Sequence, residues 1–364
     1  MNNDQPVSID SAAVSACECC SPRRRFLGKA AGIGAASLFA GSTALAQTGK
    51  AGSRIATPRR IDVHHHFAPP NWVAQAKAAG QGGGAPWSPE GTLADMDLGG
   101  VAKSILSLIQ PGTWFKDDAQ ARALAREVND YAAKMRSSHP TRFGIFTTLP
   151  LPDAEGSLRE IEYGMDVLKA DGVGMFTSYG NKWLGDASFT PVLAELNRRK
   201  TVVYVHPTNP ACCSALQPGI NASTIEYATD TTRTMASLLF SGAANRFPDI
   251  RWIWSHSGGT MPFLFSRFER QEEFMRDKVK AVLPHGSMYE MKRFYYETAQ
   301  GTTPMQLAAL LKMIPVSQVL FGSDFPYRPA KECVEGLEAW KFKPADLRAI
   351  EYGNCLRLMP QLKV

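Results

Sequence analysis

Four short apolar segments of this chain end in a residue that can bind a metal ion, and this recurrence limits the folds that the chain can adopt. The residues concerned are, in chain order, His64 with His66, His206, His256 and Asp324. Each segment is rich in β-branched or aromatic residues and is followed by proline or glycine, which is typical of a strand that ends in a turn. The pattern therefore favours a fold in which the ends of several strands meet.

The first of these segments carries three consecutive histidines, His64, His65 and His66. Successive side chains of an extended strand point to opposite faces, so His64 and His66 share one face and His65 takes the other. Two imidazoles on one face can bind one metal ion. The alternative is a surface histidine run or a tag remnant, which would have no further ligand residues elsewhere in the chain. The later strand ends favour the metal site, because zinc and related ions bind imidazole nitrogen and carboxylate oxygen.

Strand-like and helix-like segments alternate along the body of the chain. The predicted strands are residues 60–64, 103–108, 143–148, 172–176, 201–206, 251–254, 294–297 and 319–322. The predicted helices between them include residues 118–137, 155–168, 191–199, 230–246, 261–280 and 304–313. Eight strand–helix units predict an α/β fold, a closed (β/α)₈ TIM barrel whose active site lies at the carboxyl ends of the strands. An open doubly wound sheet is the alternative, but it brings four strand ends together less readily.

The motifs at these strand ends resemble those of the amidohydrolase superfamily, the metal-dependent hydrolase type of TIM barrel. The resemblance extends from about residue 60 to 360. Within the superfamily, the motifs are most similar to the branch that contains aminocarboxymuconate semialdehyde, γ-resorcylate and 6-methylsalicylate decarboxylases. It includes Leu-Ala-Asp-Met-Asp at 93–97, Asp-Thr-Thr-Arg at 230–233, Tyr-Tyr-Glu-Thr-Ala at 295–299 and Gly-Ser-Asp-Phe-Pro at 322–326.

The resemblance implies a role for each candidate residue. The implied metal ligands are His64, His66, His206 and Asp324. His256 matches an acid/base histidine, and an imidazole exchanges protons near neutral pH. Asp324 is a second candidate for the proton transfer. Arg267 matches an arginine that binds a substrate carboxylate across a dimer interface, and Glu297 either orients a ligand or caps a loop.

Two-metal members of the superfamily use a carboxylated lysine on the fourth strand. Residues 172–176, Gly-Val-Gly-Met-Phe, contain no lysine. We therefore expect one divalent metal ion, zinc, with manganese as the alternative.

Three function classes are compatible with this site. The first is a metal-dependent, non-oxidative decarboxylase of an aromatic or enoic carboxylic acid, with a phenolic acid as the expected substrate. The second is a hydrolase of a lactone, amide or carbon–carbon bond that uses metal-activated water. The third is a non-catalytic binding protein, which would not need the complete set of ligands. Trp87, Trp114 and Phe176 predict an aromatic barrel mouth, and the Gly-rich residues 81–88 predict a lid.

The amino terminus differs in composition from the barrel. Residues 21–27 contain Arg23 and Arg24, an apolar run follows, and Ala44-Leu45-Ala46 has the form of a signal-peptidase site. This segment resembles a twin-arginine export signal, with Gly28 where lysine is usual. We expect a signal peptide at 1–46, a linker at 47–58, a barrel at 59–364, and a periplasmic or exported protein that uses the twin-arginine machinery.

Composition excludes some partners. The net charge of +6 is modest for 364 residues and forms no basic stripe, so we expect no nucleic-acid partner. The sequence contains no run of 18 apolar residues, so we expect no membrane span in the mature chain. The side chains of adjacent residues such as Cys212 and Cys213 are expected to diverge, which argues against a metal role for them. The expected partners are a small carboxylic acid and further copies of the chain, as a homodimer or higher oligomer.

Overall fold

Eight parallel strands form the centre of the computed structural model, which describes residues 59–82, 84–210, 212–213 and 219–362. The strands are β1 (Arg60–Phe67), β2 (Val101–Leu108), β3 (Phe143–Thr148), β4 (Gly172–Phe176), β5 (Val202–His206), β6 (Arg251–Trp254), β7 (Tyr295–Glu297) and β8 (Val319–Leu320). They pair in chain order from β1 to β8. The predicted (β/α)₈ arrangement is confirmed.

The chain that follows β8 closes the barrel against β1. The amide of Val63 donates to the carbonyl of Phe321 at 3.0 Å, and the amide of Asp324 donates to the carbonyl of His64 at 2.9 Å. A third bond joins the amide of His66 to the carbonyl of Phe325 at 2.8 Å. This closure places the residues after β8 beside the first two predicted ligands.

Helices follow the strands and cover the barrel. They are α1 (Pro70–Ala78), α2 (Pro89–Leu98), α3 (Asp118–Ser138), α4 (Ala154–Glu162), α5 (Thr190–Arg198), α6 (Glu226–Phe240), α7 (Ala243–Arg246), α8 (Met261–Met275), α9 (Val279–Val282), α10 (Ser287–Met291), α11 (Pro304–Met313), α12 (Ala330–Trp340), α13 (Pro344–Arg348) and α14 (Asn354–Leu358). No helix in the described part of the chain is long and apolar enough to cross a membrane.

Apolar side chains pack on both faces of the sheet. Inside the barrel lies a cluster that includes Ile61, Val63, Ile105, Phe146, Tyr204, Ile253 and Leu320. A larger cluster fills the space between the strands and the helices. Seven of the eight residues of β1 are buried, as expected for a strand of a parallel barrel. The packed interior makes the strands a rigid support for the side chains at their carboxyl ends.

Several predicted boundaries differ from the structure. The helix predicted at 230–246 is two helices, α6 and α7, because Gly242 between them has φ +74°. The helix predicted at 155–168 ends at Glu162 and continues as a π-helical turn, Tyr163–Val167. The segment predicted as a signal peptide and linker lies outside the described residues.

Candidate metal and active site

Four ligand-type side chains meet at the carboxyl ends of the strands. They are His64 and His66 of β1, His206 at the end of β5, and Asp324 after β8, and all four are buried. One nitrogen or oxygen from each lies within 4.8 Å of those of the others. The Nε2 atoms of His64 and His66 are 3.0 Å apart, and Asp324 Oδ1 lies 3.0 Å from His64 Nε2. The structure thus brings together the four residues predicted as ligands.

The chain reaches this arrangement through local backbone geometry. Asp324 has φ +69°, an uncommon value for a residue other than glycine, and its amide is bonded to the carbonyl of His64. The preceding residue, Ser323, is held by Asp62, because its backbone amide and its hydroxyl both donate to the buried carboxylate of Asp62. His256, at φ +51°, is also left-handed. Such backbone outliers concentrate at functional sites, where surrounding contacts maintain them.

Neighbouring groups orient the imidazole rings. His64 Nδ1 donates to Glu297 Oε1 at 2.8 Å, and His66 Nδ1 lies 3.3 Å from the carbonyl of Ser107. A carboxylate or carbonyl that accepts from one ring nitrogen leaves the other nitrogen free to bind a metal. Both roles foreseen for Glu297 are present in the structure, because its carboxylate contacts the ring of His64 and also accepts from the backbone amides of His256 and Ala299.

Among the described residues, the buried His206 Nδ1 has no hydrogen-bond partner, and the buried Asp324 Oδ1 faces two ligand imidazoles, 3.0 Å from His64 Nε2 and 3.3 Å from His66 Nε2. Burying polar atoms with incomplete partners is unfavourable, and a metal ion held by these residues would compensate that burial. Three imidazoles and one carboxylate form a donor set suited to zinc or manganese. The residues present therefore fit one divalent ion.

The charges of the site are consistent with this fit. Burial opposes protonation of His64, but the carboxylates of Glu297 and Asp324 outweigh burial and raise the pKa of His64 to about 10. Burial lowers the pKa of His66, and burial with the neighbouring imidazoles lowers the pKa of His206 well below its ordinary value. Burial alone would raise the pKa of Asp324, yet His64 and His256 hold it well below its usual range. His66 and His206 are thus kept neutral, which is the form that binds metals.

The second oxygen of Asp324 has a different environment. The side-chain amide of Gln300 donates to Asp324 Oδ2, and His256 Nε2 lies 3.5 Å from the same oxygen. The backbone amide of His256 donates to Glu297 Oε1 at 2.6 Å. The same carboxylate oxygen contacts His64 Nδ1, so Glu297 links the two histidines. The predicted acid/base residue therefore adjoins the ligand cluster.

A cavity of about 890 Å³ opens above the ligands, and His206 and Asp324 form part of its wall. Tyr227 and Tyr327 line it, and their rings lie edge to face with His206 and His66, with 6.0 Å between centroids in both cases. Trp114 also lines the cavity, as predicted. Its size suits a small organic ligand.

The two further residues predicted at the mouth do not line this cavity. Trp87 packs against Phe67 and Tyr131 in the layer between the strands and the helices, so its predicted position at the mouth is wrong. Phe176 is buried beside His206, with ring centroids 6.3 Å apart. Parts of the predicted lid do line the cavity, namely Gln81, Gly82, Gly84 and Ala85.

Arg267 is exposed on α8 and does not line the cavity within the described residues of this chain. Arg233, the arginine of the Asp-Thr-Thr-Arg motif, forms ion pairs with Glu226 at 3.2 Å and Asp230 at 3.6 Å, which indicates a structural role. Gln300, Tyr227 and the residues after Asp324 were not predicted as site residues. A short separation in the sequence was the available signal for two of them, since Gln300 lies three residues after Glu297 and Tyr327 lies three residues after Asp324.

Comparison with known proteins identifies the family. A family model described as amidohydrolase matches residues 61–360. The chain belongs to the amidohydrolase family. The match covers every residue of the predicted site and excludes the amino-terminal segment, in accordance with the resemblance seen in the motifs.

Curated relatives of this amidohydrolase are decarboxylases. The 6-methylsalicylic acid decarboxylase of Penicillium expansum is 36% identical over 318 residues, which cover 84% of this chain and 97% of that protein. Decarboxylase yanB of Aspergillus niger is 35% identical over 328 residues, covering 84% and 88%. These relatives confirm the predicted decarboxylase class and favour it over the hydrolase alternative.

A solved structure shows the same fold. A dihydroxybenzoic acid decarboxylase from Polaromonas sp. JS666, with bound manganese and the inhibitor 2-nitroresorcinol, has a TM-score of 0.75 and 22% identity to this amidohydrolase. The likeness covers 84% of this chain and 98% of that chain. It confirms the TIM barrel.

Proposed function

We propose that this amidohydrolase removes the carboxyl group of a phenolic aromatic acid without oxidation. The observation that carries the proposal is the cavity that opens directly onto His206 and Asp324, beside the proton-carrying candidate His256. Aromatic and amide side chains form much of its wall, which suits a flat ring with polar substituents better than a sugar. The curated relatives that act on 6-methylsalicylic acid support this substrate class.

One divalent ion would be held by His64, His66, His206 and Asp324. When bound, it supplies Lewis-acid chemistry, drawing negative charge from the carboxylate or an adjacent hydroxyl of the substrate. We propose that this ion is zinc, with manganese as the alternative. The Polaromonas decarboxylase contains bound manganese, which supports the alternative.

The residues of this chain manage the proton. Decarboxylation breaks the bond between the ring and the carboxyl carbon, leaves the electron pair on the ring carbon, and needs one proton to replace carbon dioxide. His256 Nε2 and Asp324 Oδ2 are the two atoms placed to deliver it, and they lie 3.5 Å apart. Gln300 orients that Asp324 oxygen by hydrogen bonding. Either group can carry the proton in this geometry.

The proposal is tested by incubating metal-loaded protein with a panel of hydroxybenzoates in oxygen-18 water. Decarboxylation yields carbon dioxide and a phenol whose oxygen atoms come from the substrate. A panel of lactones, esters and amides serves as the comparison, because hydrolysis must place solvent oxygen in a product. Turnover of that second panel, with the hydroxybenzoates inert, would contradict the proposal.

We also propose that Arg267 acts at an interface between copies of the chain, binding the substrate carboxylate of a neighbouring subunit. Arg267 is exposed on α8, and Phe263, 85% exposed, lies one turn before it on the same helix. An exposed aromatic side chain beside an arginine is common where chains associate. Arg267→Ala should raise KM and leave metal content unchanged, and a monomeric wild-type protein in sedimentation experiments would contradict the interface.

Export through the twin-arginine route is likewise a proposal, supported by the sequence of residues 1–46. Replacing Arg23 and Arg24 by lysine should retain metal-loaded precursor in the cytoplasm, since this route carries folded proteins. Unchanged export of the double variant would contradict it.

A further inference from the structure

Arg328 lines the same cavity as His206 and Asp324. Its backbone amide donates to the carbonyl of Asp324 at 3.2 Å, so the residue is fixed four positions after a metal ligand. Its side chain is 53% exposed. Arg328 is therefore part of the cavity lining, and its side chain is accessible from solvent.

The charge of the cavity wall makes Arg328 distinctive. Among the described residues that line the cavity, Arg328 is the one lysine or arginine, and Asp324 is the one carboxylate. The other side chains there are amides, hydroxyls, an imidazole and apolar groups. Within the described lining of one chain, an anion that enters the cavity thus meets one positively charged side chain, and the one carboxylate there is assigned to the metal.

Among the described residues, the guanidinium of Arg328 forms one ion pair. Its partner is Glu332, one turn later, with 3.7 Å between Nη1 and Oε2. Both side chains are 53% exposed, and such surface pairs contribute little to stability. A ligand carboxylate could replace Glu332 at small cost, and a planar guanidinium binds a carboxylate through two hydrogen bonds.

We infer that Arg328 binds the carboxylate of the aromatic acid as it enters the active site, and so selects anionic rings within a single chain. This inference rests on the proposed function for the identity of the substrate. It differs from the role proposed for Arg267, because Arg328 needs no second subunit.

The chemistry predicts which kinetic constant Arg328 controls. The carboxylate loses its charge as it departs as neutral carbon dioxide, so a contact with this charge favours the bound acid at least as much as the transition state. Removing such a contact weakens binding without slowing the bound complex. KM should therefore rise, and kcat should stay within about threefold of the wild-type value.

The test compares Arg328→Gln with Arg328→Lys and the wild type in metal-loaded, full-length protein. Arg159→Gln is the matched control, because Arg159 forms an exposed i, i+4 pair with Glu155 on α4, outside the cavity. Turnover of the best hydroxybenzoate gives KM and kcat. Calorimetric titration with benzoate and with phenol reports binding of a charged and a neutral ring, and metal content and melting temperature report integrity.

We expect Arg328→Gln to raise KM and the benzoate Kd by roughly tenfold, the usual effect of losing a charged hydrogen bond, with phenol binding unchanged. Arg328→Lys should recover part of the loss, and Arg159→Gln should match the wild type. Unchanged KM and benzoate affinity in Arg328→Gln would overturn the inference, as would equal losses for benzoate and phenol or no benzoate binding by the wild type. The titration requires no turnover, so a wild type that binds benzoate through Arg328 but decarboxylates nothing would refute the proposed function alone.

Discussion

Glu297 of β7 reaches His64 of β1 across Gly322, and its Oε1 accepts a hydrogen bond from His64 Nδ1 at 2.8 Å. Strand β8 lies between these two strands, and Gly322, two residues after β8, has no side chain to separate them. A Cβ at Gly322 would lie 2.0 Å from Glu297 Oε2 and 2.9 Å from His64 Cβ. The metal ligand set therefore depends on a glycine that binds nothing itself.

Glu297→Gln should weaken metal binding by about 10- to 100-fold, the usual effect of losing a partner that orients a ligand. The physical reason is the loss of the charged acceptor for His64 Nδ1. The measurement is competition with a chelator of known affinity. Glu290→Gln is the control, a buried glutamate on α10 paired with Arg293 at 2.7 Å. Equal metal affinity in the two variants would contradict the role given to Glu297.

Gly322→Ala should lose metal affinity and also stability, because overpacking in a buried site typically costs about 1–3 kcal/mol. The added methyl group must displace Glu297 or His64. Chelator competition and thermal unfolding check the two effects. Gly91→Ala is the matched change on α2, where the new Cβ would meet only Ser88 Oγ at 3.4 Å. If Gly322→Ala retains the metal affinity of the wild type, the close approach of Glu297 is not needed.

Metal binding should release about one proton per chain between pH 7 and 9. Without metal, His64 has a pKa of about 10 and is protonated in this range, whereas its metal-bound form is not. Metal affinity should therefore fall as pH falls, because protons and metal compete for the same imidazole. Calorimetry in buffers of different ionisation enthalpy measures the protons released. A value near zero would show that His64 is already neutral.

Gln300→Ala should lower kcat/KM by roughly tenfold while metal content stays near that of the wild type. The amide of Gln300 holds Asp324 Oδ2, whereas Oδ1 is the oxygen close to the histidine ligands. Losing the amide leaves the metal-facing oxygen in place but frees the one beside His256. Steady-state kinetics with metal analysis of the same sample checks this. Loss of metal together with activity would show that Gln300 supports the ligand itself.

The strands could be predicted from their periodicity, and the resemblance to the amidohydrolase superfamily pointed to the four residues that the structure brings together. Ligand residues at the ends of parallel strands must meet at one face of a barrel, so His206 and Asp324 could be placed together despite their separation in the chain. Helix ends were predicted less well, since Gly242 interrupts a helical pattern that runs on both sides of it.

Loop residues were the hardest to predict. Trp87 is an aromatic residue in a Gly-rich loop, so the sequence placed it at the mouth, but it packs on Phe67 and Tyr131. No local sequence pattern indicates this packing. Gln300 and Arg328 line the cavity from loops with irregular backbone. The alternation of side chains along a strand therefore gives no information about them. Their positions depend on tertiary packing, which single-sequence patterns do not encode.

The central claim is that one metal ion, held by His64, His66, His206 and Asp324, is required for decarboxylation. The most direct measurement is to strip the protein of metal, titrate it with zinc or with manganese, and follow carbon dioxide release from a hydroxybenzoate at each step. We predict activity that rises linearly and saturates at one ion per chain, and a His206→Ala variant that gains neither metal nor activity over the same range. Full activity in the stripped protein, or saturation only at two ions per chain, would contradict the account.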